Sequence, residues 1–396
     1  MYWLKLEKDT FVWVNNDSFL LYNAESGQHF LCDIDSPETE SIIHTLADPY
    51  KLGCLKIDES HLGKNGNIIE WIIKLKLGQI IQSDIPPVSY PPVLNLQCDS
   101  FRMVDDNIRD DLYQNTYLKE IVLYLTGSLS ANAIAKQVIY PLEGDSFMPL
   151  SSMITFLDDC LKIGINSLSV CITPGHHPNE AQFLEAIRGY PISKRLFVKA
   201  SSLKSNDLSK YKLFDEITVI FYHDNDLLHI FNDTPAGIKK RILIENDSDY
   251  TLYNKLIEKD PTVSAVPLYT GHNEQFFYDN VLLSHSEILR QSLNKRIIYA
   301  HQRANINRFG ILSIVPNGNV YSNLAEAPIG TIKDSIQSIV AAEMKSNKGW
   351  LNVRNEYPCS NCLCRYLCPS PTSYEKMMNH VACCEGTEIT VKEGLI

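Results

Sequence analysis

The chain lacks most of the features that would point to the commonest partners and reactions. It has no excess of basic residues. Its 36 Lys and Arg stand against 47 Asp and Glu, a net charge of −11, which argues against a nucleic acid or an anionic membrane surface as the main partner. No apolar run approaches the roughly 20 residues that cross a bilayer. The first segment, Met1–Thr10, lacks the apolar stretch of a secretory signal. A soluble, cytoplasmic protein is the expectation. No Gly-rich phosphate loop and no Ser/His/Asp constellation stands out. Asp105-Asp106 and Asp110-Asp111 read as a solvated helix face, not as a paired-carboxylate acid/base site.

Cysteine is sparse over most of the chain and dense at one end. Of 11 cysteines, six (359, 362, 364, 368, 383 and 384) crowd toward the C-terminus. Disulfides do not persist in a reducing cytosol, so a tight group there reads as metal-binding. The scattered Cys32, Cys54, Cys98, Cys160 and Cys171 read as small buried hydrophobes.

What is present suggests several domains in 396 residues. Phe11–Val14, Phe19–Tyr22 and His29–Cys32 are short strand candidates. A helix follows in which Ser36 caps, Pro37 takes the first position, and Ile42, Ile43 and Leu46 share a face. A second apolar-periodic run covers Ile68–Leu77. These make an α+β unit of winged-helix size over residues 1–84. Residues 85–118 form a Pro-rich linker and connector, with Pro86, Pro87, Pro91 and Pro92. Over 119–300, strand candidates Glu120–Leu125, Ser167–Ile172, Arg195–Ala200, Glu216–Tyr222, Arg241–Glu245 and Val263–Tyr269 alternate with helical stretches. That alternation predicts a parallel α/β sheet, open or curled into a partial barrel. Pro316-Asn317-Gly318 is a hairpin turn signal in the last region, 301–396.

Other groups have plainer readings. His176-His177 follows a strand end, but adjacent histidines point to different sides and make a poor chelating pair. Tyr222-His223-Asp224 occupies a similar position and reads as a solvated loop. Lys239-Lys240-Arg241 reads as a solvated strand entry, and Phe276-Phe277-Tyr278 as core.

The stretch Phe309–Tyr321 with Ile329-Gly330-Thr331-Ile332, followed by Cys359-Ser-Asn-Cys362-Leu-Cys364-Arg-Tyr-Leu-Cys368, keeps a C-x2-C-x5-C spacing. It resembles the SPASM domain, the cysteine-rich extension of radical SAM enzymes that modify peptides. The resemblance implies a partial (β/α)6 radical-SAM-like barrel between a winged-helix-like domain and a SPASM-like domain. It also implies one [4Fe–4S] cluster on Cys359, Cys362, Cys368 and either Cys383 or Cys384. Read from the residues alone, four thiolates suit Zn2+ equally well.

The departures from that family form a set. Asn323, or one of its neighbours, and Thr372 stand where the resemblance would put the cysteines of a second cluster. Thr126–Gln137, where radical SAM enzymes carry C-x3-C-x2-C, has no cysteine, and Thr173-Pro-Gly-His-His-Pro178 replaces a Gly-Gly-Glu-like segment. Neither SAM binding nor radical chemistry is expected. Over nearly its full length the chain resembles the pseudo-radical-SAM proteins of the GG-Bacteroidales peptide system. Leu21-Tyr22-Asn23, the Pro-rich linker, Pro267–Asn273 and Phe276-Phe277 share in that likeness.

The first unit resembles a RiPP recognition element, which takes a leader peptide as an added strand. On that resemblance His29, Phe30, Leu31 and Cys32 with Ile68, Ile69 and Ile72 wall the groove. The implied partners are a precursor with a Gly-Gly leader and an active radical SAM maturase. Three functions follow. The first is a catalytically inactive adaptor in maturation of a ribosomally made peptide. The others are a redox partner using one auxiliary cluster for electron transfer, and a zinc-stabilised α/β binding protein.

Overall fold

A computed structural model describes residues 1–58, 68–88, 117–131, 133–203, 207–222, 234–235, 237–346 and 348–378. Most of the predicted linker, both aspartate pairs, Cys98, Cys383, Cys384, His223 and Asp224 lie outside them.

Six strands come first: β1 (Tyr2–Leu6), β2 (Thr10–Val14), β3 (Ser18–Asn23), β4 (His29–Asp33), β5 (Cys54–Ile57) and β6 (Gly78–Gln82). They form two antiparallel sheets, ordered β5-β1-β6 and β2-β3-β4. The second sheet is the expected trio of strands. The first was not expected, so the three-stranded unit is corrected to one of six strands in two sheets. Helix Pro37–Ala47 starts as its sequence dictates, with the Ser36 hydroxyl accepting the Thr39 N–H at 3.2 Å and Pro37 in the first turn. Its Ile42, Ile43 and Leu46 share one core with Leu4, Leu6, Phe19 and Leu21, and with Ile68, Ile69 and Ile72 of helix Ile68–Lys74.

The second part is built on one sheet. Its strands are β7 (Glu120–Tyr124), β10 (Ser167–Ile172), β11 (Ser193–Lys199), β12 (Glu216–Phe221), β13 (Lys239–Ile244) and β14 (Val263–Pro267), all parallel and side by side in sequence order. A small hairpin, β8 (Thr126–Ser128) with β9 (Glu143–Phe147), is inserted after β7. The chain then returns: β15 (Ile311–Ile314) pairs in parallel with the free side of β7. β16 (Asn319–Tyr321) and β17 (Gly330–Thr331) extend the sheet to nine strands. The expected Pro316–Gly318 hairpin is the β15–β16 turn, with Gly318 at φ +86°.

Alternate residues settle how this sheet is wound. Ile121, Leu123, Leu168, Val170, Leu196, Val198, Ile242 and Ile244 face one core. Helices Leu150–Lys162, Glu180–Arg188 and Asp247–Ile257 all bury their apolar stripes in that same core. Val122, Tyr124, Cys171, Phe197, Ile220 and Leu243 face the other way, where no described helix covers them. An open doubly wound sheet carries helices on both faces. Here the described crossover helices lie on one face only.

Two further findings concern charge and targeting. Lys240 is no solvated strand entry: it is buried and pairs with Asp260 at 2.6 Å. Among the described residues no helix is long and apolar enough to cross a membrane.

Candidate functional site

The backbone of β4 sets up the first candidate site. In an antiparallel ladder, opposed residues alternate between pairs that exchange hydrogen bonds and pairs that do not. Asn23 N–H donates to Gln28 C=O and Ile34 N–H to Asp17 C=O, each at 2.8 Å. With the register Leu21↔Phe30 and Phe19↔Cys32, it follows that Phe30 and Cys32 spend their main-chain groups on β3. His29, Leu31 and Asp33 therefore aim theirs outward. β4 is the outer strand of its sheet, and no described strand pairs with that side.

Side chains on the two faces of β4 differ in what they meet. Phe30 and Cys32 pack toward helix Ile68–Lys74, and the Phe30 ring stacks on Trp71 with centroids 5.9 Å apart. The Lys74 ammonium sits 4.4 Å over the same indole. Both rings remain partly exposed. Ile68, Ile69 and Ile72, expected as groove walls, are buried in the core behind the helix. They hold the helix in place, while Trp71 lies beside β4 through its stack on Phe30, with Lys74 over its ring. Trp71 was legible as the one aromatic in an isoleucine-rich helix; Lys74 left no signal.

The opposite face of the β2–β4 sheet rests on the cysteine segment. Phe11, Trp13, Leu20, Tyr22 and Leu31 form one core with Cys359, Cys362, Leu363, Cys364, Leu367 and Cys368. Trp13 stands 6.1 Å from the Tyr366 ring, and Asn15 Nδ2 donates to Asn361 C=O at 3.3 Å. A sheet from the start of the chain and the cysteines near its end are thus in direct contact.

Within the segment, Cys359 opens a short turn, Cys359–Asn361, and Arg354 Nη1 lies 4.0 Å from its sulfur. Arg354 makes a two-pronged pair with Glu375 at 3.0 and 3.1 Å, with both side chains buried. Cys362 Sγ is 4.0 Å from His285 Nε2. A hydrogen bond from Cys364, with a smaller share from His285, holds the Cys362 thiol below the ordinary cysteine range. Asn323 and Thr372 carry other duties. Thr372 caps helix Ser373–Met377 in a box with Glu375, and Asn323 Oδ1 accepts the Ala325 N–H.

Whether these residues suit a metal is a question of donors and of surroundings. Cys359, Cys362 and Cys368 are gathered in one core, and the candidate fourth thiols, Cys383 and Cys384, lie outside the described residues. Among the described residues no three His, Cys, Asp or Glu side chains already stand as a metal-holding group. The surroundings nevertheless carry orphaned polar atoms. Trp13 Nε1, His301 Nε2 and Gln302 Nε2 are buried without a hydrogen-bond partner. Trp13 and His301 both abut Tyr366, and burial pushes the His301 imidazole toward its neutral form. In donor type the thiols suit a metal centre, while the unpaired indole and amide N–H groups can only donate hydrogen bonds.

The third place is the end of the parallel sheet where ligands of α/β folds bind. There Ala135, Tyr140 and Leu142, from the loop after β8, pack onto Val122, Tyr124, Cys171, Phe197, Ile220 and Leu243. Gly127 permits this approach: at φ +103°, a Cβ there would lie 2.5 Å from Leu142 Cβ. Gln137 fixes the same loop by bonding both the N–H and the C=O of Tyr269, each at 2.9 Å. A cavity of about 340 Å3 remains at the rim, bordered by Ile134, Tyr222, Tyr269 and Met377. Tyr222 donates to Glu245 at 2.6 Å, so it is anchored and not a free loop residue. His177 is buried with Nε2 3.3 Å from Met148 C=O, while His176 is exposed. The two do not converge.

Fold and sites together describe a mixed α/β protein in which one face of the β2–β4 sheet rests on a cysteine-rich segment. No protein-family model matches the chain, and no curated sequence does. Among solved structures it is similar to Streptococcus suis SuiB bound to precursor peptide SuiA, at 11% identity and a TM-score of 0.45, covering 96% of this chain and 100% of that one. SuiB crystallised under that name alone gives 10% and 0.43 at the same coverage. SuiB bound to S-adenosylmethionine gives 12% and 0.39, covering 96% and 97%. Likeness at this level establishes no family.

Proposed function

We propose that the protein is a catalytically silent relative of radical SAM peptide maturases, and that it holds the leader of a ribosomally made precursor for an active maturase. The observation that carries this reading is the free edge of β4. His29, Leu31 and Asp33 offer main-chain donors and acceptors beside the Phe30–Trp71 stack, which suits an added peptide strand. A leader ending in Gly-Gly is the expected ligand, by the sequence resemblance. The silent barrel is supported by the cysteine-free Thr126–Gln137 loop and by the apolar packing of Ala135, Tyr140 and Leu142 over the strand ends.

Cys359, Cys362, Cys368 and Cys383 or Cys384 would hold a metal centre. Bound there, an iron–sulfur cluster would supply an electron carrier, and zinc a redox-inert cross-link. The contact between this segment and the β2–β4 sheet supports a structural role for it, as the floor under the peptide-binding strand.

The test is titration of a labelled Gly-Gly leader into the full chain and into Asp33→Pro. The Asp33 N–H points away from β3, so proline there leaves the β3–β4 ladder intact and removes one outward donor. The expected result is an unchanged circular-dichroism spectrum and about fivefold weaker binding, the effect of one lost hydrogen bond. Equal affinity for both proteins counts against strand addition at β4. Cleavage of SAM by the iron-reconstituted chain counts against a silent barrel.

A further inference from the structure

We infer that Arg241 binds a carboxylate-bearing ligand at the N-terminal end of the parallel sheet. The site is separate from β4 and from the cysteine segment, and stands or falls without them.

Strand alternation sets which way Arg241 faces. Ile242 and Ile244 enter the core under the helices, while Leu243 packs on the opposite face. Arg241 therefore shares the face of Leu243, where no described helix lies. The same alternation puts Ser169, Arg195 and Thr218 on that face, and each is, like Arg241, the third residue of its strand. In parallel strands such residues gather at one end of the sheet. It is the end opposite the rim cavity beside Tyr222 and Tyr269.

Charges at this end pair off with one exception. Arg195 pairs with Glu120, which also accepts from the Ser169 hydroxyl at 2.7 Å. Glu216 takes Lys239 at 2.7 Å. The Arg241 side chain makes no hydrogen bond or ion pair with a described residue. Its guanidinium carbon lies 5.5 Å from the centroid of the Phe197 ring, which covers one side of it. Nε is enclosed without a partner, yet the residue as a whole is partly open to solvent, so the Nη end is the part a ligand can reach. Burial holds this guanidinium below the ordinary arginine range, Glu216 works the other way, and Arg195 repels it.

A cation stripped of much of its water and given no direct countercharge is costly. A carboxylate offsets that cost, because its two oxygens match the paired N–H groups of a guanidinium end. Three positive side chains at this end (Arg195, Lys239 and Arg241) meet two negative ones (Glu120 and Glu216), so a single negative charge balances them. A doubly charged anion would face the two glutamates with charge to spare.

The experiment measures the melting temperature of the full chain in sodium acetate against sodium chloride at equal ionic strength. It compares the wild type with Arg241→Gln and Arg241→Lys. At about ten times the acetate dissociation constant, the wild type should melt about 2–3 °C higher than in chloride. Arg241→Gln should melt no lower than the wild type in chloride, since it removes a charge without a countercharge, and should show no rise specific to acetate. Arg241→Lys keeps the charge but loses the fork, and should show a smaller rise. Triglycine and its C-terminal amide identify the source of the carboxylate. A rise with triglycine that amidation abolishes points to a peptide terminus, and a rise with acetate alone points to a small free acid. Equal melting of the wild type in acetate and chloride would overturn the site, and so would an acetate-specific rise that persists in Arg241→Gln. Should Arg241→Gln not fold, an undiminished rise in Arg241→Lys overturns it instead.

Discussion

Glu375→Ala is expected to destabilise the protein by about 3–5 kcal/mol, the usual cost of stranding one member of a buried ion pair. Arg354 and Glu375 are only 4% and 5% exposed. Arg354 also donates to the Pro369 carbonyl at 2.7 Å, but a neutral carbonyl does not replace a countercharge. Removing the carboxylate leaves the guanidinium buried without that countercharge, and it also removes the partner of Thr372 in the helix cap. The loss should be visible in Trp13, which is in the core formed by the β2–β4 sheet and the cysteine segment. Denaturant unfolding followed by tryptophan fluorescence measures it. Arg354→Met combined with Glu375→Leu should recover most of the stability, because two apolar side chains of similar volume leave no buried charge. A loss below about 1 kcal/mol for Glu375→Ala would mean the pair behaves like one exposed to water.

Trp71→Ala should weaken leader binding by roughly 30- to 150-fold, about 2–3 kcal/mol, the range for an aromatic anchor at an interface centre. Trp71 stacks on Phe30 and carries Lys74 above it, yet it remains partly open to the groove beside β4. The helix itself is held by Ile68, Ile69 and Ile72, all buried, so loss of the indole should leave the fold in place. Isothermal calorimetry with the leader peptide gives the affinity. An unchanged value would move the binding surface elsewhere, even if β4 remains exposed.

Much of the chain was legible before its structure, for identifiable reasons. The six parallel strands are short runs of apolar and β-branched residues separated by helical stretches with clear stripes, and their observed limits fall close to the expected ones. Ser36 and Pro37 mark a helix start by backbone chemistry alone. The strands that escaped notice are those whose partners are remote. β1 alternates Trp3 and Lys5 with buried Leu4 and Leu6, a period-two pattern, but the partners of Leu4 are Leu55 and Ile80, far along the chain. The pairing of β15 with β7 sets Ile311 beside Glu120, with the other five parallel strands between them in sequence, and leaves no local trace.

The candidate site divides the same way. The cysteine spacing was readable, and so was β4 as a strand. Which edge of β4 is free depends on sheet order and on ladder phase, and neither is written in so short a segment. The isoleucines expected to line the groove carried the strongest periodicity in their helix, and that periodicity marks the core side. Trp71 and Lys74, on the side of the helix toward Phe30, are residues the apolar pattern leaves out.

The most direct test of peptide capture is amide hydrogen exchange along β4 with and without the Gly-Gly leader. The amides of Phe30 and Cys32 are already bonded to β3 and should change little. Those of Leu31 and Asp33 point to the free side and should slow markedly when the leader is bound. Slowing confined to those alternate amides is the result expected of strand addition. Tight binding with Leu31 and Asp33 exchanging as before would contradict it.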